Sequence, residues 1–198
     1  DFGDIFEGLF GGGRRGGGFG GFGGRGAPPP QRGANVAYRL SVPFVDAATL
    51  APQRITLADG KTIDLKLPAG VESGTQMKLG GKGQPGPGGA GVEVAAHPFY
   101  TRDGDDVRLD LPISLNEAVA GARIKVPTVD GPVMLAVPAG ARSGQTLRLK
   151  GKGFTRKRGG RGDQLVTLLI DVPGDDAALK SFIEGWQDAR PLRSNLGV

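Results

Sequence analysis

One histidine and no cysteine set narrow terms for any chemistry in these 198 residues. His97 has no second histidine with which to share a metal and no serine elbow to serve as base, so neither a metal cluster nor a nucleophilic triad is written here. Standing before Pro98, it reads as a turn residue satisfied by backbone. Without cysteine there is no disulfide framework, thiol nucleophile or cysteine zinc site. Asp103, Asp105 and Asp106 mimic a cation loop, yet no bidentate acid follows at the required spacing; they read as a solvated turn. Gly81-Lys82-Gly83-Gln84-Pro85-Gly86 fits G-x-G-x-x-G, but that fingerprint needs a helix next, and the run to Gly91 with two prolines forbids one. No window matches the phosphate-cradling G-x-x-x-x-G-K-[ST] pattern. Arg161-Gly162-Asp163 spells an adhesion tripeptide and is explained as the turn into a strand at residues 164–172. No catalysis and no cofactor is expected.

What the chain repeats is a turn. "LPAGVESGTQMKLGGKG" begins at Leu67 and "VPAGARSGQTLRLKGKG" at Val137. Pro68 answers Pro138, Ser73-Gly74 answers Ser143-Gly144, and Gly81-Lys82-Gly83 answers Gly151-Lys152-Gly153; upstream, Asp59-Gly60 answers Asp130-Gly131 with a one-residue gap. Register held over such a length marks an internal duplication. Two copies are too few for a solenoid, so two sibling subdomains in tandem are expected.

The apolar period in both copies is mostly two: Val36, Tyr38, Leu40 and Val42; Ile63, Leu65 and Leu67; Leu147 and Leu149. These are half-buried strands. Helices are brief, one over Leu115-Asn116-Glu117-Ala118-Val119 ending at Gly121 and a weaker counterpart at Val45-Asp46-Ala47-Ala48. After acidic Asp175 and Asp176, which suit a helix start, Leu179, Phe182, Ile183 and Trp186 recur at helical spacing. The fold class is therefore mainly β: two tandem homologous small β-sandwich-like subdomains with short helices and a C-terminal helix. Half of residues 1–26 are glycine, punctuated by Phe2, Phe6, Phe10, Phe19 and Phe22, too little apolar area to repay ordering. A flexible Gly/Phe-rich N-terminus at 1–34 is expected, with Pro28-Pro29-Pro30 as a stiff spacer. The subdomains follow at 35–101 and 102–174, and the tail at 175–198. At about 70 residues each they are small for independent cores, which favours mutual support or oligomerisation. No apolar stretch approaches the roughly 20 residues of a membrane span, and the lack of cysteine fits a reducing cytosol. A net charge of +5 is a mild bias toward acidic partners or simply toward solubility.

Taken together, these motifs resemble one family, the C-terminal part of DnaJ-type co-chaperones, in the zinc-free class (class B) that includes the bacterial curved-DNA-binding protein. The resemblance rests on Asp4-Ile5-Phe6 with the Gly/Phe-rich segment, on the two Pro-Ala-Gly…Ser-Gly…Gly-Lys-Gly copies, on His97-Pro98 followed by Arg102-Asp103-Gly104-Asp105-Asp106, and on Val126-Pro127-Thr128-Val129-Asp130-Gly131. It covers nearly the whole chain. Two family features are missing. There is no His-Pro-Asp motif, so a J-domain is expected only upstream of Asp1, and the cysteine repeats of the zinc-bearing class do not interrupt the first copy.

The resemblance implies a module that binds unfolded or misfolded client polypeptide and delivers it to a DnaK-type ATPase chaperone. It places Tyr38 and Leu40 of the first strand, Ile55 and Leu57 of the next, and Phe99 or Tyr100 around a shallow apolar client groove, although alternation alone would assign the same side chains to the core. It implies that Lys61, with Arg54 and Lys66, receives the partner's acidic C-terminal tail. It also implies a homodimer through residues 175–190, with Leu179, Phe182, Ile183 and Trp186 at the contact; the same stripe is wide enough to dock on the second subdomain instead. A different class of function stays open. Lys152, Arg156, Lys157, Arg158 and Arg161 crowd one loop, so DNA binding by a nucleoid-associated protein is the alternative, with salt-steep affinity, against a solvated hairpin tip. A cytoplasmic location and no membrane partner are expected.

Overall fold

A computed structural model describes residues 37–57, 60–79 and 89–197. The Gly/Phe-rich segment, the first Gly-Lys-Gly run, and the readings placed on them lie outside the described residues. In the first subdomain, β1 (Ala37–Val42) leads through α1 (Phe44–Thr49) into a hairpin of β2 (Gln53–Thr56) and β3 (Thr62–Leu65), followed by β4 (Gln76–Lys78) and β5 (Gly89–Val94). The second repeats that order: β7 (Asp106–Ser114), α2 (Leu115–Ala120), a hairpin of β8 (Ala122–Val126) and β9 (Val133–Val137), then β10 (Thr146–Leu149) and β11 (Gln164–Asp171). Between them, β6 (Tyr100–Asp103) adds an edge to the second sheet. Strand order is β1-β5-β4 in one sheet and β10-β11-β7-β6 in the other. In both, the first strand runs parallel to the last and the fourth antiparallel to it. The duplication legible in the sequence is thus written again in topology.

The repeated turn holds that topology. Ser73 Oγ accepts the Val94 N–H at 2.9 Å and Ser143 Oγ that of Ile170 at 3.2 Å. Gly74 and Gly144 donate to the carbonyls of Val92 and Leu168 at 2.8 and 2.6 Å. Both glycines sit at positive φ, 93° and 84°, where a side chain would be strained. Each copy therefore pins the entry of one strand to the latter half of the next.

The short helices exist because packing supports them, since six residues are too few to be stable alone. In α2, Ser114 and Glu117 form a reciprocal capping box, which satisfies two N-terminal donors. Pro43 starts α1 without a side-chain cap, and that helix depends on burying Phe44, Ala47 and Ala48.

One hydrophobic cluster runs through both subdomains, from Leu40, Val42 and Phe44 to Val107, Ile113, Val166 and Leu168. Phe154 joins the halves. Its ring, wholly buried, meets Phe44 edge-on at 5.1 Å and lies under the Arg102 guanidinium at 3.9 Å. Next to it, Thr155 gives both its N–H and its hydroxyl to the Ala48 carbonyl, at 3.1 and 3.0 Å, and accepts the Gly70 N–H at 2.9 Å. Mutual support between two small halves therefore takes a definite form, a plug from the second set into the first.

The tail departs in one respect from the expected stripe. Helix α3 (Ala177–Glu184) starts at Asp176, whose carboxylate accepts the Leu179 N–H at 2.8 Å, but it ends at Gly185, so Trp186 follows the helix instead of extending it. Phe182 and Trp186 still stack, 6.0 Å apart. Leu179 is half-buried, and Phe182, Ile183 and Trp186 are 50–59% exposed.

Candidate functional site

The residues expected to line a client groove divide by depth. Tyr38 and Leu40 lie on β1, Ile55 on β2, Leu57 just beyond it, and Phe99 and Tyr100 at the entry to β6. Leu40, Leu57 and Tyr100 are buried, Tyr38 and Ile55 are half-buried, and Phe99 is exposed. Alternation puts Tyr38 with Leu40, and Ile55 with Leu57, on the inward faces of their strands, and position along the strand sets how deep each one lies. The two buried β1 and β6 residues, Leu40 and Tyr100, belong to the common core, with Ile55 packed against it.

Aromatic rings gather at the mouth of that core. His97 Nδ1 accepts the N–H groups of Phe99 and Tyr100, each at 3.3 Å, so the imidazole closes the turn before β6, and Pro98 fixes the backbone between. Its ring lies 4.4 Å from both Phe99 and Tyr100 and 5.9 Å from Phe44. Burial pushes the Tyr100 hydroxyl above its ordinary pKa. A cleft of about 630 Å³ opens here, floored by Phe44, Val94, Ala95 and Tyr100 and rimmed by Glu72, Ser73 and Arg102. Arg102 donates to the Val71 and Gly104 carbonyls at 2.7 and 2.8 Å; Glu72 faces its Nη2 at 3.6 Å, an ion pair too long to be a hydrogen bond. Of the six expected groove residues only Tyr100 lines this cleft. Tyr38 lines a second depression, about 790 Å³, over Gly89 and Gly91. Sequence reasoning missed Phe44 and Arg102. The signals were present, an aromatic residue opening the weaker helix and an arginine beside the His-Pro turn, but nothing in their spacing linked them.

The expected tail-binding cations sit on and around the first hairpin. Arg54 on β2 is paired with Asp64 on β3 at 3.0 Å, both exposed. Lys61 lies in the connecting loop, its carbonyl accepting the Leu57 N–H, and Lys66 follows β3. In the basic loop of the second subdomain, carboxylates hold three of the five cations. Arg161 and Lys152 converge on Asp130, and Arg156 faces Asp105 at 3.7 Å. Lys157 lays its stem against Gly70, and Arg158 is exposed. The adhesion-like tripeptide is structural. Arg161 also donates to the Gly153 carbonyl, a Cβ on Gly162 would stand 1.9 Å from the Asp105 carbonyl oxygen, and Asp163 accepts the Gly151 N–H. Among the described residues no three acidic or histidine side chains are placed to hold a metal, and no helix is long and apolar enough to cross a membrane.

With this geometry in view, comparison with known proteins identifies the module. Residues 36–173 match the description of the DnaJ C terminal domain. The chain belongs to the DnaJ C-terminal domain family. A DnaJ-like protein of Synechocystis sp. is 39% identical over 168 residues, covering 82% of this chain and 49% of that protein. The chaperone protein DnaJ of Clostridium novyi is 41% identical over 155 residues, 72% of this chain and 41% of the relative. That of Clostridioides difficile is 43% identical over 121 residues, 57% and 32%. The chain thus spans half or less of these relatives. The DnaJ C-terminal match includes both copies of the turn, the His97-Pro98 corner and the Phe154 plug.

Proposed function

We propose that this chain is the polypeptide-holding part of a zinc-free, class B DnaJ-type co-chaperone, which binds unfolded client protein and passes it to a DnaK-type ATPase chaperone. The observation that carries this reading is Phe99, a 51% exposed aromatic standing on His97 and Tyr100, which line an open cleft in a DnaJ C-terminal domain. In this reading Tyr38, Ile55 and Phe99 meet the client, while Leu40, Leu57 and Tyr100 are buried behind them. Burying two or three client side chains gives about 1.5–3 kcal/mol each, most of it offset by ordering. Binding is therefore weak and releasable, as handover demands. It needs no catalysis, and the cytoplasm is the proposed location.

The test is titration of a labelled, unfolded apolar peptide into the full chain and into Ile55→Ser/Phe99→Ser. Phe99 is exposed and Ile55 is half-buried against the core, so the fold of the variant is checked by circular dichroism. Affinity is expected to fall about tenfold, the loss of roughly one buried side chain. Undiminished affinity in a folded double variant refutes the groove.

A further inference from the structure

His97 is the chain's one histidine, and the turn it closes carries the exposed aromatic residue on which the client reading rests. Its Nδ1 accepts two backbone N–H groups, those of Phe99 and Tyr100, each at 3.3 Å. An imidazole nitrogen accepts only while it bears no proton, so this pair of bonds fixes the neutral ring with its hydrogen on Nε2. Phe99 precedes β6 and is exposed. Its place is therefore set by the His97 and Tyr100 rings, at 4.4 and 4.7 Å, and by the bond from its own amide to the imidazole. In the second subdomain β11 runs into Val172-Pro173-Gly174 with no imidazole, so this turn is peculiar to the first.

We propose that His97 is a positioning residue for the client cleft, holding Phe99 in place while its ring is neutral and releasing it when the ring is protonated, so that acid weakens client binding. This inference rests on the client reading above. A second proton turns Nδ1 from acceptor to donor, and both backbone bonds are lost together. The Phe99 amide can turn to water, but Tyr100 is buried, and an amide left there without an acceptor is costly. The turn shifts to relieve it and carries Phe99 along. Nothing charged around the ring holds the old arrangement. The first helix meets it through Phe44, which is uncharged, and the Tyr100 hydroxyl, raised by burial, stays neutral in acid. On the cleft rim Glu72 and Arg102 face each other at 3.6 Å.

The experiment compares the full chain with His97→Asn at about pH 7.5 and about pH 5.5, which bracket the range in which imidazoles change charge. Asparagine keeps an acceptor in the same place, because its side chain bonds the amide two residues on, and it has no proton to gain. The ligand is a blocked, labelled peptide of leucine, serine and glycine, which has no titratable group. In the parent, the amide signals of Phe99 and Tyr100 are expected to move together with the His97 ring signal, and peptide affinity to fall about tenfold at the lower pH, the loss of roughly one apolar contact. In His97→Asn both are expected to stay level, whatever its absolute affinity, whereas a dependence owed to Glu72 or any other group would survive there. Equal loss of affinity in parent and variant, or amides that hold still while the ring titrates, overturns the proposal. A peptide that binds at neither pH while those amides move refutes the client reading and the link to binding, and leaves the proton-dependent turn standing.

Discussion

Gly162 shows how far single atoms constrain this chain. Its Cα lies so near the Asp105 carbonyl that an added Cβ would stand 1.9 Å from the oxygen and 2.5 Å from the carbon, and backbone cannot rotate away as a side chain can. Gly162→Ala is expected to cost about 3 kcal/mol, at the upper end of overpacking, measured by urea denaturation. A loss under about 0.5 kcal/mol, within the range of ordinary surface changes, would show that the tripeptide is not a packing element. Tyr100 supplies a pH test. Its folded pKa is raised by burial, so the stability it contributes is complete below the unfolded value of about 10 and is lost as pH rises from there through the folded value. Tyr100→Phe is expected to lose less stability than the parent chain between about pH 9 and 11. Parallel curves for the two proteins in that interval would contradict the burial assigned to the hydroxyl.

At the scale of elements, the decisive feature is the plug from the loop after β10 into the neighbourhood of α1. Phe154 is wholly buried and Thr155 bonds to Ala48 and Gly70 across the junction, so the two subdomains are expected to unfold in one transition. Phe154→Ala is expected to cost about 3–5 kcal/mol and to separate that transition into two, seen by calorimetry. A single transition at unchanged temperature would mean the halves do not depend on the plug. The sequence disclosed β1, β2, β3, β10 and β11, both short helices and the duplication, because periodicity and register are local properties that survive without knowledge of partners. It did not disclose the plug. Phe154 is one aromatic among glycines, lysines and arginines, and its partner Phe44 lies 110 residues earlier, so the run read as a charged loop. The cleft was half legible for the same reason: alternation put Leu40 and Ile55 on inward faces, but whether an inward face meets solvent or core depends on what packs above it. Gly185 likewise ends α3 before Trp186, although the spacing of the apolar residues runs past it.

For the whole molecule, α3 leaves Phe182, Ile183 and Trp186 at least half exposed, a cluster that invites a partner. We propose that two copies pair through residues 175–190, so that two weak clefts act on one client with avidity about 10² to 10⁴ above either alone. Light scattering is expected to give a dimer for the full chain and a folded monomer after deletion of residues 175–198; a full-length monomer at tens of micromolar, about the range of weak association, would contradict the pairing. The central claim, that the first subdomain holds unfolded polypeptide, is tested most directly by amide NMR of the full chain during titration with an unfolded apolar peptide. Shifts are expected at Tyr38, Ile55 and Phe99, at the His97 turn and at cleft-lining Arg102, with β7 to β11 unmoved. Shifts confined to residues 102–174, or none at saturating peptide, would contradict it.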